Sequence, residues 1–472
     1  MRKIRTKHIV LLMSLFSLIG AQSNYHFLST NSESAKQSFS EGIKNLREGE
    51  PVKAASDFES ALKSDGKFAL AAFYRWKTGI GGFESSEKYK MIFEENISSA
   101  SEYEKSLIEL VNAGEEGDGI EDYKIIKMLS NYGHDSQFLY QLGQYFLQKG
   151  NLTEATDYLD KCARSDKDNV FWSAMYGMAL SETGNPEYAG KLVNKYSQKF
   201  PESPFGFWLK GKFEMQKGDY PAAESAFESS LEKDKSYLSA YKSLAGIYLV
   251  QGNFSKASDA YQSMFDFSKD ITLRLEALRL LADCSVYASD YHKALRIATI
   301  GEKLAEKYGL KKEEADCHNH KGYISIHMGQ VENGMKEFEK AERVVKVSSL
   351  PEELKRRYSI EASINRCYAL IARNMLTEAG EEAETCRKML AVNSQPDLEQ
   401  KLNGKLALLA LCEGNTDKAG DLLSKSKLDY YNLTQFATVY NSLGDIDQAK
   451  KMSNLAEKKR LISSSRDISL TN

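Results

Sequence analysis

The sequence predicts an all-α fold built from stacked antiparallel helix pairs. Seven prolines among 472 residues, with few runs of β-branched residues, favour helices joined by compact turns. A hydrophobic fraction of 42 % and a charged fraction of 27 % are typical of a chain that folds. Small residues also recur at a constant step of 34 positions, and a constant period of about 20 to 50 residues indicates a repeat architecture.

Residues 1–21 are predicted to be a signal peptide. An apolar run of 13 residues, too short to span a bilayer, follows four basic residues, Arg2, Lys3, Arg5 and Lys7. We expect cleavage after Ala21 and export to the periplasm or the medium. Removing the segment lowers the formal net charge from −3 to about −7, which disfavours nucleic acid as a partner. No later segment has 18 uninterrupted apolar residues, so no membrane span is expected in the mature chain.

Each repeat unit is predicted to be two helices, A and B, joined by a glycine turn. A glycine within helix A allows close approach of helix B, and an alanine within helix B does the same. The residue after the turn glycine is Asn or Asp, a good N-cap for helix B. The helix-A positions are Gly143, Gly177, Gly211 and Ala245; the turns are Gly150, Gly184, Gly218 and Gly252; the caps are Asn151, Asn185, Asp219 and Asn253; the helix-B alanines are Ala155, Ala189, Ala223 and Ala257.

At these positions the chain resembles the tetratricopeptide repeat (TPR) family, whose unit is a helix–turn–helix of about 34 residues. The residues that carry the resemblance are Leu142, Gly143, Phe146, Ala223, Phe227, Ser230 and Pro201. Most units have Lys or Asp where the family has a closing proline. The resemblance implies a right-handed α-solenoid without catalytic activity or cofactor. It also implies a concave face that binds a protein or peptide partner.

The repeat pattern extends over most of the chain. After a polar linker at 22–34, residues 35–271 are predicted to form units of about 34 residues, of which 69–135 are degenerate. That degenerate region still predicts two helices around a glycine-rich turn, although it leaves room for an insertion. Residues 272–460 form units of about 40 residues, which predicts longer helices, and 461–472 form a tail. The helix-B small residues of this part are Ala294, Gly334, Ala379 and Ala419, with turns at Gly329, Asn374, Gly414 and Gly444.

The concave groove is predicted from large and basic side chains of successive A helices. Exposed aromatic and methionine side chains suit an apolar segment of a partner. Several of them are equally compatible with the core, because one series of each A helix packs on its own B helix. The clustered Lys and Asn of the TPR carboxylate clamp are not evident. The predicted groove residues are Phe171, Met178, Phe205, Trp208, Lys212, Met215, Lys242 and Leu249.

No phosphate loop, nucleophile elbow or paired-histidine metalloprotease motif is present in the sequence. The best chemical candidate is the cluster Cys317, His318, His320 and His327, which one helix cannot direct at a single metal. The preferred interpretation is therefore that these are ordinary polar residues of a helix surface. A hydrolase with a metal at Cys317 and His320 is the alternative.

The six cysteines and four sequons have alternative interpretations. Cys367 and Cys386 are predicted to lie on the two helices of one unit, so a disulfide is conceivable, but small buried packing residues are preferred. The sequons at Asn96, Asn151, Asn253 and Asn432 are glycosylation acceptors only in a eukaryotic secreted chain. Two of them coincide with predicted caps, and capping is preferred there.

These observations lead to one functional expectation and one alternative. We expect a non-enzymatic exported scaffold that holds a protein partner through its concave face. The alternative is a regulatory or sensor solenoid that binds a peptide or a small ligand.

Overall fold

The computed structural model describes residues 27–116, 119–167, 169–392, 395–426, 430–442 and 444–466. These contain 24 α-helices, one short 3-10 helix and no β-strand, so the predicted all-α class is confirmed. The predicted signal peptide, the first residues of the linker and the end of the tail lie outside the described residues. No helix within the described ranges is both long and apolar enough to cross a membrane.

The chain divides into two units. The first contains the described residues up to Ile80 together with Ser85–Tyr237, and the second contains Gly81–Glu84 and the described residues from Leu238 onward. The helices up to residue 237 are α1 (Glu33–Arg47), α2 (Pro51–Ser64), α3 (Ala69–Lys77), α4 (Gly82–Asn96), the 3-10 helix Ile97–Ser99, α5 (Glu102–Glu116), α6 (Asp122–Tyr132), α7 (Ser136–Gln148), α8 (Leu152–Ser165), α9 (Val170–Glu182), α10 (Pro186–Lys199), α11 (Pro204–Gln216) and α12 (Tyr220–Lys233).

The second unit continues the alternation of helices and short turns. Its helices are α13 (Leu238–Val250), α14 (Phe254–Phe267), α15 (Ile271–Tyr287), α16 (Tyr291–Tyr308), α17 (Lys311–His327), α18 (Val331–Lys346), α19 (Glu352–Ala372), α20 (Leu376–Val392), α21 (Pro396–Cys412), α22 (Thr416–Ser424), α23 (Tyr430–Ser442) and α24 (Ile446–Arg466). Helices α15 to α21 have 16 to 21 residues, whereas α7 to α14 have 13 or 14, which accounts for the longer repeat step. The last helix continues to Arg466, so the start of the predicted tail is helical.

Local chemistry explains where the repeat helices begin. The turn glycines have positive φ, 96° at Gly184 for example, a conformation that L side chains rarely adopt. The side chains of Asn185, Asp219 and Asn253 accept hydrogen bonds from backbone N–H groups of the next helix, as predicted. Asn151 also occupies the predicted N-cap position of its helix, but its side chain makes no capping hydrogen bond.

The small residues allow the two helices of each pair to pack closely. All four helix-B alanines of the 34-residue units have an exposed fraction of 0 %. A methyl group added at Gly211 would lie 2.5 Å from the ring of Phe227, which is also fully buried. The missing side chain in helix A therefore makes the space for the large side chain of helix B.

Two turns of the second unit have a residue other than glycine in the left-handed conformation, Ser289 and the predicted turn residue Asn374. Ser289 has φ of 60°, and its backbone makes the same hydrogen bonds as the turn at Gly329. Left-handed backbone strains an L residue, so we expect Ser289→Gly to raise the free energy of unfolding by about 0.5–1 kcal/mol. Ser289→Ala is the control and should give no gain. Equal urea stability of the glycine variant and the wild-type chain would contradict this explanation.

Candidate functional site

The first unit contains a cavity of about 1000 Å³. Its wall is built from helices that are far apart in sequence: α1 and α3 form one part, α5 another, and the helices α7 to α10 with the segments between them the rest. The lining side chains include Phe39, Ile43, Arg47, Glu48, Tyr74, Tyr103, Asp135, Phe171, Trp172, Tyr196 and Phe200. Most of them are aromatic or apolar, and a few polar groups are interspersed, which is the usual composition of a ligand pocket.

Arg47 is the cation of the cavity wall that is most surrounded by protein. It is the last residue of α1, and its guanidinium carbon lies 4.6 Å from the ring centre of Trp172, 5.2 Å from that of Tyr140 and 5.6 Å from that of Phe171. Burial lowers the pKa of Arg47. Its Nε is inaccessible to solvent and has no hydrogen-bond acceptor among the described residues. The rings stabilise the charge in part, because their faces are electron-rich.

Trp172 presents a second unsatisfied donor at the same wall. Its side chain is only 3 % exposed, and its Nε1 is buried without an acceptor among the described residues. A buried indole N–H normally has a hydrogen-bond partner. The wall thus contains a buried guanidinium N–H and a buried indole N–H, and neither has a hydrogen-bond acceptor among the described residues.

The nearby carboxylates are already engaged. The Tyr196 hydroxyl donates to Glu48 Oε1 at 2.7 Å, and burial together with this carboxylate raises the pKa of Tyr196. Asp135 accepts hydrogen bonds from the Tyr103 hydroxyl at 2.8 Å and from the backbone N–H of Phe138 at 2.7 Å. Burial raises the pKa of Asp135, although these hydrogen bonds oppose the rise.

The structure places most of the predicted groove residues in buried positions. Phe171 lines the cavity and stacks on Phe205 at 6.0 Å between ring centres, and Phe205 is only 1 % exposed. Lys212 lies over the ring of Trp208 at 5.6 Å. Phe171, Met178, Phe205, Trp208, Lys212 and Leu249 are buried, whereas Met215 and Lys242 are half-buried.

This burial favours the alternative in which several of these residues are core. Lys242 and Leu249 lie in the second unit, where Lys242 pairs with Glu276 at 2.9 Å. Of the eight predicted residues, Phe171 is the one found in the cavity wall. The part that these eight residues play in partner binding stays a prediction. Arg47, Trp172 and Tyr196 were not predicted, because no local pattern connects α1 with α9 and α10.

The predicted Cys and His cluster does not come together in the second unit. His320 pairs with Asp283 at 3.0 Å, and His327 stacks on Tyr291. Instead, His318 meets Glu302 and Glu337, with ligand atoms within 4.8 Å of one another. No sequence pattern connects these two glutamates with His318, because they lie on the helices before and after α17.

A lysine occupies this group of potential metal ligands. Lys321 Nζ lies 2.5 Å from Glu302 Oε2 and 2.9 Å from Glu337 Oε2, so an ammonium group already bridges both carboxylates. His318 Nδ1 lies 2.7 Å from Glu337 Oε2. The arrangement is therefore an internal ion-pair network.

All six cysteines are free, and four are buried. The Cys367 thiol donates to the carbonyl of Ala379 at 3.4 Å, and burial raises the pKa of Cys367 to about 12 and that of Cys386 to about 11. In this structure both are packing residues and not a disulfide.

These thiols support a reactivity prediction. Because the thiolate is the reactive form, we expect Cys367 and Cys386 to react with a disulfide reagent at pH 8 far more slowly than free cysteine. In urea all six thiols of the chain should react fast. Mapping the labelled peptides by mass spectrometry checks this, and fast labelling of Cys367 or Cys386 in the folded chain would refute it.

Comparisons with known proteins agree with the repeat pattern. Models of the tetratricopeptide repeat match residues 136–169 and 209–267. Tetratricopeptide repeat protein 37 of Xenopus laevis is 23 % identical over 283 residues, which are 56 % of this chain and 18 % of that protein, so the chain spans less than a fifth of this relative.

Similar solved structures include aspartyl phosphate phosphatase F of Bacillus subtilis, with 13 % identity and a TM-score of 0.43 over 69 % of this chain and 94 % of that one. The apo form of RapI has 12 % identity and a TM-score of 0.40 over 56 % of this chain and 98 % of that one. The helix pair α7/α8, the C-terminal part of α11 and the helices α12 to α14 lie in the stretches that the family models match. Stretches of both units are thus similar to tetratricopeptide repeats.

Proposed function

We propose that this chain is a non-enzymatic, exported scaffold that binds an extended segment of a partner protein in the cavity of its first unit. The observation that carries the proposal is the cavity of about 1000 Å³ with its aromatic wall and half-buried Arg47. Tryptophan, tyrosine and arginine in desolvated pockets supply much of the binding energy at protein interfaces. A helical repeat scaffold positions such side chains on rigid elements.

The regulatory or sensor alternative also has support from the cavity. Its volume is in the range of about 300–1000 Å³ that is usual for sites of small molecules and cofactors. The two functions differ in what occupies the cavity, a segment of a protein or a free small molecule. Native mass spectrometry of the chain isolated from its own host would distinguish them by the mass of the bound species.

Blocking the cavity tests the proposal with little disturbance of the core. Ser40 lines the cavity, whereas Gln37 is exposed on the same helix and does not line it. Ser40→Trp should fill part of the cavity, and Gln37→Trp is the matched control. We expect wild-type chain and the Gln37→Trp variant to capture the same partner from the exported fraction, and the Ser40→Trp variant to lose it.

Equal melting temperatures would show that both variants are folded. If the folded Ser40→Trp variant still captures the partner, the cavity is not the binding site and the proposal fails. In either case the captured partner is identified by mass spectrometry, and its binding to both variants is measured again with the purified partner protein.

Export has a test of its own. Sequencing the N-terminus of the chain recovered from the exported fraction should show a start at Gln22, because cleavage is expected after Ala21. A chain that keeps residues 1–21 inside the cell would overturn export without affecting the cavity.

A further inference from the structure

The cavity wall contains a guanidinium that forms no ion pair or side-chain hydrogen bond with a described residue. The guanidinium of Arg47 lies against three rings, and its charge interacts with the Asp135 carboxylate without direct contact. Arg75 of the same unit is different: it donates from Nε to Glu59 at 2.7 Å and from Nη1 to the carbonyl of Ile80 at 3.0 Å. A buried arginine of the same unit, Arg75, thus has hydrogen-bond acceptors for its guanidinium, whereas Arg47 has none.

The charge of Arg47 faces a cavity in which three of the four lining carboxylates accept hydrogen bonds from, or form an ion pair with, other residues. Glu48 accepts the Tyr196 hydroxyl, Asp135 accepts from Tyr103 and Phe138, and Glu202 pairs with Lys233 at 3.1 Å. Of the other lining charges, Lys44 and Lys199 are exposed, and Asp166 and His134 complete the set. An arginine partly removed from water without an anion is unfavourable, so an incoming anion gains more here than at the surface.

The geometry also limits what kind of anion fits. The planar guanidinium presents parallel N–H donors that match a carboxylate. Trp172 Nε1 lies at the same wall but is not accessible, so it adds a third donor when its side chain moves on binding of the anion. Glu48 and Asp135 line the same cavity, and they would repel a dianion more strongly than a monoanion. A single guanidinium therefore suits a carboxylate better than a phosphoryl group.

We propose that Arg47 and Trp172 form an anion subsite that takes a carboxylate of the bound segment. The proposal rests on the proposed function, because it names the chemistry of the segment that the cavity binds. The carboxylate can belong to an acidic side chain or to the C-terminus of a peptide, and the experiment below separates the two sources.

Three pools of octapeptides carrying an uncharged BODIPY label, which has no carboxylate, provide the test, with Asp and Glu excluded from the randomised positions. One pool has a fixed central Glu and an amidated C-terminus, the second has Gln at that position, and the third has Gln and a free C-terminal carboxylate. Fluorescence anisotropy with the full chain gives an apparent affinity for each. We expect a carboxylate pool to bind about 10- to 100-fold more tightly than the amidated Gln pool, as for hydrogen bonds to charged groups.

Variants assign the preference to the two residues. Arg47→Met keeps the length and the contact with the rings, and it should abolish the difference between the pools. Arg47→Lys keeps the charge but not the planar, forked arrangement of N–H donors. It should lose most of the difference in affinity between the carboxylate pools and the amidated Gln pool. Trp172→Phe keeps a ring and removes Nε1–H, so it should reduce the preference by about 3- to 10-fold.

Each outcome decides something. Preference for the Glu pool assigns the site to side chains, and preference for the third pool assigns it to a chain end; both support the carboxylate subsite. If all pools bind equally and Arg47→Met changes nothing, the subsite is overturned while the proposed function survives. If no pool binds, both fail. Should Arg47→Met unfold, the Arg47→Lys and Trp172→Phe variants decide, because unchanged preferences in both would overturn the subsite.

Discussion

Replacing Phe227 by alanine is expected to destabilise the first unit by about 3–5 kcal/mol. The side chain is fully buried on α12 and packs against α11 at Gly211, where no side chain can relax into the space that is lost. Urea unfolding of the full chain followed by circular dichroism measures the change. Tyr123→Ala is the control, since that side chain is 63 % exposed, and it should cost about 0.5 kcal/mol or less.

A second variant shows that the contact itself is responsible. Gly211→Ala alone should cost about 1–3 kcal/mol, because the new methyl group would overlap the ring of Phe227. Combined with Phe227→Leu, its effect should be smaller, since leucine leaves room where the ring stood. We expect a coupling of about 0.5 kcal/mol or more between the two positions. Strict additivity would contradict the direct contact between these two residues.

Replacing Lys321 by methionine is expected to destabilise the second unit by about 2–4 kcal/mol at pH 7, because Glu302 and Glu337 would lose their shared cation. The side chains of Lys321 and Glu337 are only 10 % and 12 % exposed, so water replaces the ammonium group poorly. Lys336→Met is the matched control, because Lys336 is exposed on the same helix as Glu337. The control should change the stability by about 0.5 kcal/mol or less.

The pH dependence identifies the effect as electrostatic. Burial opposes ionisation of Glu337, but hydrogen bonds from His318, Lys340 and Lys321 outweigh it and lower its pKa to about 2. A carboxylate with a lowered folded-state pKa contributes stability above its unfolded pKa of about 4.3, and this contribution is lost as the pH falls toward 2. The difference between wild-type chain and Lys321→Met should therefore be largest from about pH 5 upward and shrink toward pH 3. The same difference at pH 7 and pH 3 would assign the effect to lost packing.

The sequence by itself determined the repeat, its helix boundaries and its small residues. These are local properties: a turn glycine such as Gly184 sets its own backbone, and a cap such as Asp219 bonds to a helix that begins one residue later. Recurrence at 34 positions then made each local signal visible several times. The exception is Asn151, whose residue type is right for a cap but whose side chain makes no capping bond.

Only the tertiary structure decided which large side chains are buried and which form a site. Helix α11 is covered on several sides, and its aromatic and other apolar residues therefore lie all around the helix axis. Sequence periodicity alone could not separate the residues of a groove from those of the core. That is why Phe205 was a candidate for the groove although it is core. Lys321 likewise meets two glutamates from two other helices.

The candidate site shows the same limit most clearly. Arg47 ends α1, whereas Trp172 and Phe171 lie more than 120 positions later on α9, and the packing of helices brings them within 6 Å of one another. A single sequence records which residues can be buried together, but not which distant helices will meet. The sequence therefore determined a helical repeat scaffold with aromatic surfaces, and the packing of its helices decided that a lone guanidinium stands at the wall of a cavity.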